Sequence, residues 1–313
     1  MNAPIPGDSS PHLPVLYQEV IQALQPVNRG RYLDATLGAG GHSWGILTAS
    51  SPAGEVLGLD LDPQALAIAS QRLSVFGSRA HLVQASYVTL LDQIHALGWQ
   101  TVDGIVIDLG VSSMQVDTPE RGFSFLADGP LDMRFSPTQP ATAADLVNHL
   151  SEQDLSEIIW KYGEERHARR VARAIVENRP FSTTAQLAAL IAKTLKGQHE
   201  RIHPATRTFQ ALRIAVNQEL QALEDFLPRA LQALHPGGRL AVISFHSLED
   251  RIVKQVFKRE SQDCICPPEQ IICTCGHKAQ IRLITRRPLM AGEDEIQNNP
   301  RARSARLRIA EKI

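Results

Sequence analysis

The residues best suited to chemistry form a glycine-rich turn, DATLGAGGHS, from Asp34 to Ser43. Apolar residues precede and follow it, which predicts a strand, a tight turn and the first turn of a helix. Gly38, Gly40 and Gly41 allow the main chain to turn sharply and a ligand to approach it, while the helix start offers N–H groups without intrahelical acceptors. The pattern favours a ligand site, although a purely structural turn would use the same glycines.

A carboxylate follows at the end of the next apolar segment. VLGLDLD, from Val56 to Asp62, predicts a buried strand that ends in Asp60, where an acid can accept hydrogen bonds from a ribose. A dinucleotide fits poorly, because Ser43 replaces the last glycine of the motif and Asp34 would repel a pyrophosphate. A nucleoside that carries a positive charge, such as S-adenosylmethionine, fits better.

Three more side chains stand at predicted strand ends. Asp108 closes the apolar run VDGIVIDLG, so it lies at the carboxyl end of a central strand and is the first candidate for the reacting centre. Tyr87 follows the next predicted strand after Asp60 and is placed to contact an adenine ring. His246 follows a strand near the carboxyl terminus; a structural histidine is the alternative there, and Ser247 is predicted to cap the helix that begins beside it.

These strand ends meet only if the strands form a parallel sheet. The hydrophobic pattern alternates between strands and helices up to residue 110, pauses in a long loop at 110–135, and is helical from about 143 to 223. The segment 12–24 is predicted to be a short lead into an amphipathic helix, and further helices or helical segments are predicted at about 63–76, 162–180 and 206–223. Further strands are predicted at 80–83, 239–245, 281–287 and 305–313, the last two as an antiparallel edge.

The predicted helix 206–223 has two distinct faces. One is apolar, with Phe209, Leu212, Val216, Leu220 and Leu223. The adjoining face is polar, with Arg207, Gln210, Arg213 and Asn217. Its arginines either form surface ion pairs or offer forked donors to phosphates.

Charge is distributed unevenly over the 313 residues, although the net charge is only −1. Residues 1–150 carry a formal charge of −8, residues 160–213 carry +7, and residues 278–313 carry +5. An acidic half that holds a cationic cofactor, and basic segments that meet a polyanion, would explain the division, as would ordinary solvated helix faces. With no apolar run of about twenty residues and no leader, we expect a cytoplasmic protein without a membrane partner.

All four cysteines lie between Cys264 and Cys275, as two C-x-C pairs separated by six residues. In a cytoplasmic protein this pattern favours a metal knuckle or free thiols over disulfides, with His277 as a substitute ligand. Because zinc sites usually use C-x₂₋₄-C, the one-residue spacing argues against tetrahedral chelation; no metal ligand is assigned, and whether Cys264, Cys266, Cys273 and Cys275 bind zinc is left open.

The chain resembles the bacterial small-subunit ribosomal RNA cytosine-N4 methyltransferases, the RsmH or MraW family. The strings that carry the resemblance include HLPVLYQEV, GAGGHS, DLGVSSMQVD, DGPLDMRF, YGEERHARRVARAI, RTFQALRIAVNQEL and ISFHSLEDRIVK. It implies a class I S-adenosylmethionine-dependent methyltransferase, a Rossmann-like α/β fold, divided into parts 1–116 and 224–313 by a helical substrate-recognition domain at 117–223. The implied substrate is a cytidine in the decoding region of small-subunit ribosomal RNA or of the small subunit; a homodimer is left open.

The resemblance also assigns residues. The implied cofactor positions are Gly40, Gly41, His42, Asp60, Tyr87, Asp108 and Gln115. Our hypothesis is that Asp108 or a nearby carbonyl accepts the amine proton of the base. Phe123, Phe125 or His246 would supply a ring face, and Arg134, Arg207 and Arg213 would contact phosphates.

Two other interpretations compete with this one. A dinucleotide-dependent oxidoreductase would need the missing glycine and a hydride site. A non-catalytic RNA-binding assembly factor would have no use for the acids at 60 and 108.

Overall fold

A computed structural model describes residues 14–196, 202–270 and 272–313. The described residues contain seven strands: β1 (Arg31–Asp34), β2 (Glu55–Asp60), β3 (Ala80–Gln84), β4 (Val102–Asp108), β5 (Leu234–Ser244), β6 (Ile281–Leu283) and β7 (Arg306–Lys312). They form one sheet in the order β3-β2-β1-β4-β5-β7-β6. The first five in this order are parallel, whereas β7 runs antiparallel to β5 and β6 antiparallel to β7. The predicted α/β class and its antiparallel edge are confirmed.

Thirteen α-helices are found in the described part of the chain. They are α1 (Tyr17–Leu24), α2 (Gly41–Ala49), α3 (Pro63–Leu73), α4 (Leu90–Ala96), α5 (Ser113–Asp117), α6 (Ala143–His149), α7 (Glu152–Gly163), α8 (Ala168–Glu177), α9 (Thr184–Thr194), α10 (Thr206–Asn217), α11 (Glu219–Ala233), α12 (Ser247–Glu260) and α13 (Glu293–Asn298). Short 3₁₀ turns lie at Ser74–Arg79, Tyr87–Thr89, Pro119–Arg121 and Pro300–Ser304. Each of these described helices is too short or too polar to cross a bilayer.

The chain divides into two compact units, residues 1–110 with 220–313, and residues 111–219. The sequence placed the corresponding boundaries at 116 and 223. The first unit contains the sheet, and successive strand residues enter two different cores. Leu33 and Ile105 lie in one core, while Tyr32 and Val106, their chain neighbours, lie in the other. This alternation is what a sheet covered by helices on both faces requires.

The second unit is helical and has its own core. Helices α6 to α10 pack around buried side chains that include Val147, Ile159, Val171, Leu187 and Leu212. The buried residues of α8 recur at intervals of three or four, as expected for one face of a helix. An independent core explains how these residues fold as an insertion between β4 and β5.

Three predicted helix boundaries are corrected by the structure. The helix predicted at about 63–76 ends at Leu73, where the 3₁₀ turn Ser74–Arg79 follows. The segment 162–180 is interrupted, because α7 ends at Gly163 and Glu164 adopts a left-handed conformation with φ of 51°. The helix predicted at 206–223 ends at Asn217, because Gln218 is left-handed, with φ of 50°, and α11 begins after it.

Candidate functional site

Asp34, at the end of β1, connects the strand to the helix that follows. Its carboxylate is fully buried, and Oδ2 accepts a hydrogen bond of 2.7 Å from Ser43 Oγ in the first turn of α2. Oδ1 accepts a longer bond, 3.3 Å, from the Thr36 N–H. Burial raises the pKa of Asp34. The acid at the start of the glycine turn therefore has a structural role. Its partner is Ser43, which stands where the dinucleotide-binding motif has its last glycine.

The glycine turn uses backbone conformations that other residues adopt with difficulty. Gly38 has φ of +51° and Gly40, the N-cap of α2, has φ of +77°. A Cβ on Gly40 would also lie 3.2 Å from Leu73 Cδ1 of α3. The turn thus brings α2 and α3 close together and directs the first N–H groups of α2 toward the carboxyl edge of the sheet.

Asp60, at the end of β2, binds the same turn. Oδ2 accepts 2.8 Å from the Gly38 N–H, and Oδ1 accepts 2.8 Å from the Asp62 N–H. Burial raises the pKa of Asp60 to about 6, even though both N–H donors favour the ionised form. A carboxylate oxygen has a second lone pair, so Asp60 can still accept bonds from a diol.

Asp108, at the end of β4, lies beside the start of the same turn. Its N–H donates to Thr36 Oγ1 over 2.6 Å, and its Oδ2 lies 3.8 Å from His42 Nε2 in α2. Among the described residues, Asp108 Oδ1 and both ring nitrogens of His42 are buried without a hydrogen-bond partner. Buried polar atoms are normally paired, so these atoms mark the place where a bound molecule would complete the structure.

The chemistry of this edge selects the kind of ligand. Asp34, Asp60 and Asp108 end three neighbouring parallel strands, at the point where the strand order reverses. A basic side chain beside the turn, Arg72, donates to the Ala39 carbonyl over 3.1 Å. An acidic edge suits a nucleoside with hydroxyl donors and a positive charge, and it suits a pyrophosphate poorly.

Tyr87 and His246 stand at two other strand ends of the sheet unit. The Tyr87 ring packs edge-on against Phe226, with centroids 5.3 Å apart. His246, rather than the predicted Ser247, is the N-cap of α12. Its Nε2 lies 3.1 Å from Glu249 Oε1, and the Glu249 side chain accepts a bond from the Phe245 N–H. The histidine is therefore held by a capping box, which a sequence pattern based on serine did not reveal.

The helical unit contains the remaining predicted residues, beginning with Gln115 and the two phenylalanines. Gln115 is buried in α5, where its Oε1 accepts a bond of 3.0 Å from the Ser112 N–H in a capping box. Phe123 stacks on Phe135 at 5.7 Å, and Phe125 packs against Phe209 at 4.8 Å. Both phenylalanine rings are only partly buried at the margin of the helical core.

The three predicted phosphate-binding arginines differ in how they are engaged. Arg134 makes two bonds of 2.8 Å to Asp132 and two more to backbone carbonyls. Arg213 makes a forked pair with Glu219 at 2.8 and 2.9 Å. Arg207 lies farther from its acid, 3.6 Å from Glu165, and its side chain is 30% exposed. The guanidinium groups of Arg134 and Arg213 bond to acceptors inside the unit, which argues against direct phosphate contacts by these two residues.

The structure reveals a basic surface that the residue predictions missed. We call it the α8 basic face; its members are Arg166, Arg169, Arg170 and Arg173, all exposed. Arg169, Arg170 and Arg173 lie on the side of α8 opposite its buried residues, and Arg166 precedes the first residue of the helix by two positions. Trp160, at the end of α7, is 65% exposed. The charge of residues 160–213 and the spacing of the arginines could have identified this face from the sequence.

Comparison with known proteins gives a consistent result over the whole chain. Residues 9–313 match the model of a family described as the MraW methylase family. A protein of Dehalococcoides mccartyi named ribosomal RNA small subunit methyltransferase H is 55% identical over 97% of this chain and 87% of its own length. Proteins with the same name from Geobacter sp. and Thermomicrobium roseum are 52% and 51% identical, over 96% and 97% of this chain and 98% and 94% of theirs.

Proposed function

The chain belongs to the MraW methylase family, and we propose on this premise that it transfers a methyl group from S-adenosylmethionine to N4 of a cytidine in small-subunit ribosomal RNA. The observation that carries the proposal is Asp108 Oδ1 at the carboxyl end of β4, beside the glycine turn, which is buried and has no hydrogen-bond partner in the described part of the chain. The names of the relatives support a ribosomal RNA substrate. A location in the decoding region rests on the family resemblance.

The cofactor-binding roles follow from the acidic edge. When bound, S-adenosylmethionine supplies an electrophilic methyl group on a sulfonium. Asp60 would accept hydrogen bonds from the ribose diol, and the glycines at 40 and 41 leave the main chain open to close approach. Tyr87 would offer a ring for the adenine, while the His42 ring and Asp108 would lie at the reacting end. Gln115 is assigned to the cofactor by resemblance.

Asp108 is the proposed acceptor for the amine of the target base. The lone pair of a cytosine amine is delocalised into the ring, so the amine needs both alignment and an acceptor for its proton. A fixed carboxylate at the strand end supplies the acceptor and orients the N–H bond, and alignment accounts for most of the acceleration. The base must leave its stack to be reached, and Phe123, Phe125 and His246 remain our candidates for its ring face.

RNA binding is assigned to the helical unit. The α8 basic face presents four exposed guanidinium groups, and Trp160 adds an exposed ring nearby in the chain. Exposed arginines neutralise phosphates, and an exposed aromatic ring can stack on an unpaired base. Arg207 remains a phosphate candidate, whereas we assign Arg134 and Arg213 to shaping the unit through their acidic partners.

The test is methyl transfer with identification of the product. Purified protein is incubated with methyl-labelled S-adenosylmethionine and undermodified small subunits, naked small-subunit RNA or DNA, and the labelled nucleoside is identified after digestion. We expect N4-methylcytidine in RNA, and comparison of subunits with naked RNA identifies the preferred substrate. Label at another atom would contradict the N4 assignment, and cofactor binding without labelling of any substrate would contradict the catalytic proposal.

A further inference from the structure

The four cysteines converge in the segment that joins α12 to β6. The Sγ atoms of Cys264, Cys266, Cys273 and Cys275 all lie within 4.8 Å of one another. Cys275 Sγ is 3.6 Å from Cys273 Sγ and 3.9 Å from Cys264 Sγ. The two sulfurs of one C-x-C pair therefore face the same point, which removes the objection that the spacing raised against chelation.

The distances match a metal site and do not match disulfides. A tetrahedral zinc ion with Zn–S bonds of about 2.3 Å places its sulfurs about 3.8 Å apart. A disulfide requires about 2.05 Å, far shorter than the separation of Cys275 Sγ from either of its two neighbouring sulfurs. Four thiolates around one tetrahedral centre favour zinc, because they form a closed structural site.

Burial of apolar side chains does not explain the convergence. No described residue of 261–280 is buried, and Ile265 and Ile272 are 42% and 76% exposed. The ends of the segment are joined by backbone bonds, since the Gln280 N–H donates to the Glu260 carbonyl over 2.8 Å. Between these ends, a different force must hold the four sulfurs together.

We propose that Cys264, Cys266, Cys273 and Cys275 bind one structural zinc ion that holds the segment between α12 and β6. The N–H groups of Ile265 and His277 both point to Cys275 Sγ at 3.5 Å, and such donors stabilise a metal-bound thiolate. His277 is not a ligand, because its Nε2 lies 3.0 Å from the Arg259 carbonyl and the four sulfurs already complete a tetrahedron. The assignment of no metal ligand is thereby revised.

The experiment measures metal in the full-length protein, purified under reducing conditions without chelator from cells grown with zinc. We expect about one zinc per chain by mass spectrometry. In the Cys264→Ser/Cys275→Ser variant, bound zinc should fall by about tenfold or more. His277→Ala is the matched control, in the same segment, and should keep its zinc. Binding of S-adenosylhomocysteine to each variant shows that the sheet unit is still folded.

Cobalt provides a second readout that is independent of activity and of purification history. Metal-free reduced protein titrated with Co²⁺ should develop the visible absorption of a tetrahedral tetrathiolate site, saturating at about one equivalent. Zinc that persists in the double cysteine variant, iron in place of zinc, or wild-type protein that contains no zinc and gives no cobalt absorption would each overturn the proposal.

Discussion

Asp108 carries the sharpest prediction for a single residue. Asp108→Asn keeps the shape of the side chain but removes the carboxylate, so we expect kcat to fall by about 10²-fold or more. Asp103→Asn is the control, because Asp103 lies on the same strand but toward its amino end, where it accepts a bond from the Arg31 N–H. Steady-state kinetics and cofactor titration measure both variants. Full turnover together with full cofactor affinity in Asp108→Asn would show that the assigned role is wrong.

Asp60 predicts how cofactor affinity depends on pH. Its pKa is raised to about 6, and hydroxyl donors bind the ionised form better, so bound cofactor lowers this pKa. Below this pKa, Asp60 must lose a proton when the cofactor binds. Cofactor affinity should therefore fall by up to about tenfold per pH unit as the pH decreases below about 6. Calorimetric titration of wild type and Asp60→Asn tests this. A wild-type affinity that does not change between about pH 5 and 7, or the same dependence in Asp60→Asn, would contradict it.

At the scale of elements, two contributions to stability can be measured separately where the glycine turn meets α3: backbone strain and side-chain packing. Gly38→Ala places a Cβ in open space, so it should cost only the left-handed backbone, about 1–2 kcal/mol. Gly40→Ala has the same backbone cost and also brings its Cβ to 3.2 Å from Leu73 Cδ1. We expect a larger loss of unfolding free energy for Gly40→Ala in urea denaturation. Equal losses in the two variants would mean that α2 and α3 adjust without cost.

The pairing of α12 with β7 depends on a buried ion pair. Arg308 donates to Asp250 over 2.7 and 3.1 Å, and both residues are buried. Burial would raise the pKa of Asp250, but hydrogen bonds and charge from Arg308 and Arg306 hold it below its ordinary value. The resulting stability is fully present above the unfolded pKa of about 3.9 and is lost as the pH falls further.

Breaking this pair should therefore be costly at neutral pH. Arg308→Met leaves a buried carboxylate with one partner fewer, and we expect a loss of about 3 kcal/mol in the free energy of unfolding. Arg282→Met removes an exposed partner of Glu311 on the neighbouring strand and should cost less than about 1 kcal/mol. The two variants can be compared by urea denaturation at neutral pH. A difference of nearly zero would show that Arg306 replaces Arg308.

For the whole molecule, the α8 basic face predicts how RNA binding responds to salt. Arg169→Ala/Arg170→Ala should reduce the magnitude of the negative slope of log affinity against log salt by about 1.4. Each phosphate neutralised on unpaired RNA contributes about 0.7 to that magnitude. Lys258→Ala/Lys254→Ala removes the same charge from exposed positions of α12 and is the control. Filter binding over a range of salt concentrations gives both slopes. An unchanged slope in the arginine variant would remove this face from the RNA interface.

Part of this architecture was predictable from the sequence because it depends on local pattern. Apolar runs identified the strands, and the acids at 34, 60 and 108 were placed at strand ends because these residues interrupt the runs. The helix breaks at Glu164 and Gln218 were missed, because left-handed backbone at ordinary residues has no strong sequence signal. The N-cap at His246 was missed because histidine is an uncommon cap.

The sequence by itself determined the succession of strands along the chain, the glycine turn and the uneven charge, because these depend on which residues are neighbours in the chain. Only the tertiary structure decided which polar groups find partners. It gave Arg134 and Arg213 acids within their own unit, left Asp108 Oδ1 buried and unpartnered among the described residues, and brought four sulfurs together. Pairing depends on distances of a few ångströms between residues that are far apart in sequence, and spacing along the chain cannot supply them.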